Sequence, residues 1–121
     1  MARILVVDDS PTEAHVLKGM LEKNGHTVTT APDGESGIAK AKEEKPELIL
    51  MDVVMPGLNG FQATRALTKD PETQNIPIII VTTKDQETDR VWGLRQGAKD
   101  YITKPVDEAE LVNKMNMALA G

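Results

Sequence analysis

The sequence predicts an α/β fold of five strand–helix units, with one parallel sheet carrying helices on both faces. Three observations predict it. Residues 4–7, 48–51 and 78–81 are unbroken apolar runs of four. They are too short for helices and lack the alternation of a half-solvated strand, so each reads as a strand buried on both faces. Each is followed by a stretch with helical spacing. The links are short, and strict β–α alternation with short links implies a parallel sheet covered on both sides.

In chain order, Ile4-Leu5-Val6-Val7 ends in Asp8-Asp9. Ser10-Pro11-Thr12-Glu13 then offers an N-cap serine, a proline at the first helical position and an acid at the third. A helix is predicted from Pro11 to about Asn24, with Ala14, Leu17 and Leu21 inward, Lys18 and Glu22 outward, and Asn24-Gly25 as its stop. Thr27 to Ala31 is β-branched and more polar than the other strands, which places it at a sheet edge. Asp33-Gly34 opens a second helix with Ile38 and Ala41 inward, and Lys45-Pro46 ends it. Leu48-Ile49-Leu50-Met51 runs into Asp52, followed by a loop through Pro56-Gly57. Asn59-Gly60 precedes a helix carrying Phe61, Ala63, Thr64 and Leu67, and Pro71 to Pro77 reads as a loop. Ile78 to Val81 is the fourth strand, with Thr82-Thr83 at its C-terminal end. Asp85 is placed to cap a helix from Gln86 to Gln96, with Gly97 as its stop. Asp100 to Thr103 is a short fifth strand holding Tyr101, and Lys104-Pro105 follows it. Asp107-Glu108-Ala109-Glu110 reads as a capping box for a last helix with Leu111, Met115 and Ala118 as its inner stripe. With no internal repeat or linker, residues 1–121 read as one domain.

Composition narrows the function. At 121 residues and 40% hydrophobic content the chain can bury a core of its own. Phe61, Trp92 and Tyr101 are its only aromatics, so that core is aliphatic. A net charge of −5 argues against sequence-independent nucleic-acid binding. The absence of cysteine excludes disulfides, thiolate catalysis and zinc–thiolate sites. The N-terminus enters a strand pattern directly, without signal-peptide architecture. No apolar run approaches the ~20 residues of a membrane span. A cytoplasmic protein with no membrane insertion is expected.

Right-handed βα units deliver every strand end to one rim of the sheet, where open parallel sheets bind their ligands. The first strand brings Asp8 and Asp9, the third Asp52, the fourth Thr82 and the fifth Lys104. Two like charges 4 Å apart repel by about 4 kcal/mol at an effective dielectric of 20. The trio therefore needs protonation or a cation, and an all-oxygen donor set suits Mg²⁺. The bland alternatives are that Asp52 only opens a loop, that the acids splay into solvent, and that Lys104 is an ordinary salt-bridge lysine. Against these stands the convergence of acid-ended strands with a Lys-Pro step on the same rim. Pro105 also admits a cis peptide that would turn Lys104 inward. A Mg²⁺ site beside an ammonium and a hydroxyl suits phosphoryl transfer, with Asp52 as the nucleophile.

Val7-Asp8-Asp9-Ser10, Leu50-Met51-Asp52 with Val53-Val54-Met55-Pro56-Gly57, Ile80-Val81-Thr82-Thr83 and Tyr101-Ile102-Thr103-Lys104-Pro105 resemble, over the whole chain, the receiver domain of bacterial two-component response regulators. The resemblance implies a doubly wound, flavodoxin-like sheet in the order 2-1-3-4-5. It implies that Asp52 takes a phosphoryl group from a histidine kinase. Asp8, Asp9 and Asp52, with the backbone carbonyl of Val54, would hold Mg²⁺, and Lys104 would contact the phosphoryl oxygens. Thr82 would reorient toward the phosphoryl group and Tyr101 would turn inward behind it, a population shift biased by one new dianion. Val54 and Lys84 occupy the two positions that tune phosphoryl lifetime in this family. The stretches from Gly57 to Arg65 and from Val81 to Asp89 are most similar to the stand-alone regulators of type IV pilus twitching motility, which belong to chemotaxis-like pathways.

With the chain ending at Gly121, no output domain is expected, and output falls to contact with a downstream protein target or motor component. A phosphate sink or relay intermediate without a target is the alternative. The chain is read as a protein that phosphorylates itself from a donor and loses the group slowly, not as a turnover enzyme. A hydrolytic aspartyl phosphatase usually needs a second acid two residues past its nucleophile, and Val54 stands there. A scaffold with a vestigial pocket conflicts with the full set of Asp8, Asp9, Asp52, Thr82 and Lys104. Trp92 is read as half-buried packing or as an anchor on the face formed by the fourth helix, fifth strand and fifth helix. His15 and His26 are expected to face solvent without a phosphate-carrying role, and Met115 and Met117 to serve packing.

Overall fold

Alternating side chains send the apolar strand residues to opposite faces of one sheet. The computed structural model describes residues 1–121. Its elements are β1 (Arg3–Val7), α1 (Pro11–Lys23), β2 (Thr27–Ala31), α2 (Gly34–Glu44), β3 (Leu48–Met51), α3 (Gly60–Lys69), β4 (Ile78–Thr82), α4 (Glu87–Arg95), β5 (Asp100–Thr103) and α5 (Glu108–Ala120). The five strands pair in parallel in the order β2-β1-β3-β4-β5. This is the flavodoxin-like order that the motifs implied, with the β-branched β2 at one edge.

On one face Ile4, Val6, Leu48, Leu50, Ile79 and Val81 pack against Leu17 and Leu21 of α1 and Leu111 and Met115 of α5. On the other, Leu5, Val7, Ile49, Met51 and Ile78 meet Ala41 of α2 and Ala63 and Leu67 of α3. A smaller cluster of Val53, Phe61, Ile80, Ala98 and Tyr101 lies next to α4. Register then fixes the rim. Val7 pairs with Met51, so Asp8 and Asp52 lie side by side one step further on. The Asp52 N–H donates to the Val7 carbonyl at 2.9 Å, continuing the ladder past the strand end.

Four local expectations change. Asp85 does not cap α4: Gln86 is its N-cap, because the Asp89 carboxylate three residues on accepts the Gln86 N–H at 3.3 Å. Asp107 caps α5 by accepting the Glu110 N–H at 3.0 Å, while the Glu110 carboxylate pairs with Lys114 at 3.3 Å. His26 is half-buried rather than solvent-facing, and its Nδ1 accepts the Ala2 N–H at 3.0 Å. Burial and the nearby N-terminal charge hold it below the usual histidine range. Met117, expected to pack, is 64% exposed on α5.

Thr64, fully buried on α3, leaves its hydroxyl with no hydrogen-bond partner. Burying an unpaired hydroxyl is unfavourable, and valine has nearly its shape without the polar atom. Thr64→Val is expected to raise unfolding stability by about 1 kcal/mol, read from the urea midpoint at unchanged slope.

Candidate functional site

The rim is built from residues just past three buried strands, so rigid backbone places the side chains. Asp8 and Asp52 are buried and Asp9 is exposed. One carboxylate oxygen from each lies within 4.8 Å of the other two. The Asp8 Oδ1 also accepts the Ser10 N–H at 2.9 Å, and the Asp52 Oδ1 accepts the Val53 N–H at 2.7 Å. Their other oxygens converge on Lys104, whose Nζ donates to Asp8 Oδ2 at 2.8 Å and to Asp52 Oδ2 at 3.2 Å. Lys104 directly follows β5, where its N–H donates to the Thr82 carbonyl at 2.8 Å, and the Lys104–Pro105 peptide is cis.

Electrostatics follow from this packing. Burial pushes the Asp52 carboxyl above its usual range; the Lys104 charge opposes that and Asp8 adds to it. Burial would lower Lys104, but its hydrogen bonds to Asp8 and Glu13 and the charge of Asp52 outweigh burial and raise it. The ammonium therefore stays charged and offsets part of the repulsion within the trio.

Glu13 joins the site without any sequence motif to place it there. Its place three residues past Ser10 reads as a capping-box acid, and the Ser10 hydroxyl does accept the Glu13 N–H at 3.3 Å. Its carboxylate, however, contacts the Lys104 Nζ. No local signal in the sequence connects residue 13 to residue 104.

The loop after Asp52 is held from two sides. The Gly60 N–H donates to the Val53 carbonyl at 3.0 Å. A Cβ on Gly60 would fall 1.9 Å from the Asp52 carbonyl oxygen, so this close approach requires glycine. On the other side Glu35 of α2 accepts the Leu58 N–H at 3.3 Å. Val54 projects outward, 58% exposed.

Thr82 is fully buried, and its hydroxyl accepts the Lys84 N–H at 3.4 Å. The Lys84 ammonium lies 3.8 Å from Asp89 of α4. Tyr101 occupies the inward position in this structure: it is buried, and its hydroxyl donates to the Lys84 carbonyl at 2.8 Å. The chain's own packing supports that position, because Gly93 of α4 brings bare backbone against the Tyr101 ring, where a Cβ would stand 3.3 Å from it. Burial pushes the Tyr101 hydroxyl up to about 12. Trp92 lies apart from the rim, half-exposed on α4.

Comparison with known proteins agrees with this geometry. The family model described as the response regulator receiver domain matches residues 4–116. Protein PilH of Pseudomonas aeruginosa is 68% identical over 121 residues, the whole of both chains. The response regulator PleD of Caulobacter vibrioides is 44% identical over 110 residues, 91% of this chain and 24% of that one. Among solved structures, the receiver domain of a sensor histidine kinase of Pseudomonas aeruginosa superposes with a TM-score of 0.91 at 32% identity, covering 99% of this chain and 98% of that one. That structure has a magnesium ion coordinated in its active-site cleft. Chemotaxis protein CheY4 of Vibrio cholerae superposes with a TM-score of 0.90 at 30% identity over 98% of each chain. With the acid trio on the sheet rim and a family match across nearly all of the sequence, this chain belongs to the response regulator receiver domain family.

Proposed function

We propose that this chain is a phosphorylatable signalling switch that takes a phosphoryl group onto Asp52 from a histidine kinase. The observation that carries the reading is the convergence of Asp8, Asp9 and Asp52 within 4.8 Å, with the Lys104 ammonium donating to two of them. The donor set fits magnesium: every candidate ligand atom is a hard oxygen. The carboxylates of Asp8, Asp9 and Asp52 and the carbonyl of Val54 would hold it. When bound, the ion would draw off charge that builds on the transferring phosphoryl oxygens.

The chain's own residues supply the rest. Asp52 attacks phosphorus as its P–N bond to the kinase histidine breaks. Lys104 favours the ionised carboxylate against the effect of burial and can follow the charge onto the phosphoryl oxygens. Thr82, one strand away, offers its hydroxyl to the product. The Tyr101–Lys84 carbonyl contact then reports the new dianion to α4 and β5, the side of the fold where Trp92 is exposed.

The family membership and the full-length identity to Protein PilH, with the twitching-regulator resemblance of residues 57–65 and 81–89, support a place in a twitching-motility pathway. Output is then contact with a downstream protein. A target bound more tightly by the phosphorylated form separates this from a phosphate sink.

Purified protein is expected to be labelled by acetyl phosphate only with magnesium present, and Asp52→Asn is expected to bring labelling to background. Labelling that persists in Asp52→Asn, or steady turnover of a generic phosphate ester, contradicts the proposal.

A further inference from the structure

An ammonium has three protons to donate, and all three of Lys104's are taken. Two go to the buried Asp8 and Asp52, the third to Glu13. The three acceptors differ. The Asp8 and Asp52 side chains are 1% and 9% exposed, and backbone N–H groups fix their other oxygens. The Glu13 side chain is 47% exposed and reaches Lys104 from the first turn of α1, free to swing into solvent. It also stands at the rim of an open groove of about 500 Å³, shared with Val16, Leu17, Thr83, Lys104 and Pro105.

We propose that Glu13 is a positioning residue: a displaceable third tether that holds Lys104 until a phosphoryl group reaches Asp52 and takes over its proton. This rests on the proposed function and goes beyond it. A phosphoryl group on Asp52 brings three oxygens that need donors: the Lys104 proton now on Asp52 can follow the charge onto one of them, and a second can come only from Asp8 or Glu13. Asp8 is buried and fixed by the Ser10 N–H, so it has no water to turn to if Lys104 leaves it, whereas releasing Glu13 returns an exposed carboxylate to water. Glu13 therefore opposes phosphoryl capture by the strength of one exposed ion pair, and its loss should tighten capture while costing the free fold only that same small amount.

The test is a beryllofluoride titration at fixed magnesium, followed by amide NMR, on the full chain. Glu13→Gln is expected to lower the half-saturating concentration about three- to fivefold, the worth of an exposed pair, and to lower the melting midpoint of the ligand-free protein by only the few degrees that the same pair is worth. Glu13 is also an anionic side chain near an anionic ligand, and a field effect alone would act in the same direction. Thr12→Asp combined with Glu13→Gln restores the charge at the neighbouring exposed position. The tether predicts that the double variant stays like Glu13→Gln; a return to the wild-type constant overturns it. Equal constants for wild type and Glu13→Gln overturn it too, and leave the proposed function standing. A wild-type protein that binds no beryllofluoride overturns both.

Discussion

Lys104→Met lowers the stability of the magnesium-free protein at pH 7 by about 3–5 kcal/mol, the range for breaking a buried ion pair by removing one partner. The Lys104, Asp8 and Asp52 side chains are 10%, 1% and 9% exposed, so the substitution leaves two neighbouring carboxylates out of water without their cation. The pH dependence identifies the cause. Burial already raises the Asp52 carboxyl above its ordinary 3.8, and Lys104 is the largest influence opposing that rise. A carboxyl whose folded pKa is raised stabilises the fold below its unfolded pKa and loses that contribution as pH climbs through the folded value. Removing Lys104 raises the folded value further. The deficit should therefore be greatest at neutral pH and shrink as pH falls toward about 4, where the carboxyls of the unfolded chain begin to protonate. Magnesium should rescue the variant, since a ligand at 100 times its Kd returns about 2.7 kcal/mol. Urea unfolding between pH 4 and 8, with and without magnesium, measures all of this. A deficit independent of pH would mean that the lost packing of the lysine stem, not the charge, is responsible.

Gly60→Ala is expected to cost about 3 kcal/mol, at the upper end of ordinary overpacking, and to cut labelling by acetyl phosphate steeply. The sign is the informative part. Gly60 opens α3, and helix propensity alone predicts a gain of up to about 1 kcal/mol for alanine. The new Cβ, however, would meet the Asp52 carbonyl oxygen at 1.9 Å and its carbonyl carbon and the Val53 Cα at 2.7 Å each. These are backbone atoms, which cannot rotate aside as a side chain would. Either α3 moves off the sheet or the Asp52–Val53 peptide shifts, and the second outcome moves the proposed nucleophile. A stabilised variant with full labelling would show that the approach is looser than the structure describes.

Much of the fold was legible because each signal was local. Buried four-residue apolar runs, Ser10 before Pro11, Asn59 before Gly60 and the β-branched β2 each act through neighbours within a turn or a strand. The misplaced cap shows how narrow such signals are. Asp85 and Gln86 both precede the helical stretch, and the choice between them is made by Asp89, three residues past Gln86 and four past Asp85. The role of Glu13 failed for the opposite reason, since a capping acid and a lysine tether look identical in sequence. The half-burial of His26 is likewise invisible locally, because its partner is the Ala2 N–H on the adjoining strand end.

By itself the sequence determined the strand–helix alternation and which strands end in Asp8, Asp9, Asp52, Thr82 and Lys104. Chemistry written into strand ends is readable because parallel βα units bring those ends to one rim whatever the loops do. Only the tertiary structure decided how the charges there are shared. That depends on the β1–β3 register that sets Asp8 beside Asp52, on the glycine that lets α3 touch the backbone of Asp52, and on the reach of Glu13 across 91 residues of chain to Lys104. Hydrogen bonds and ion pairs act over a few ångströms of space, and sequence distance carries no measure of it.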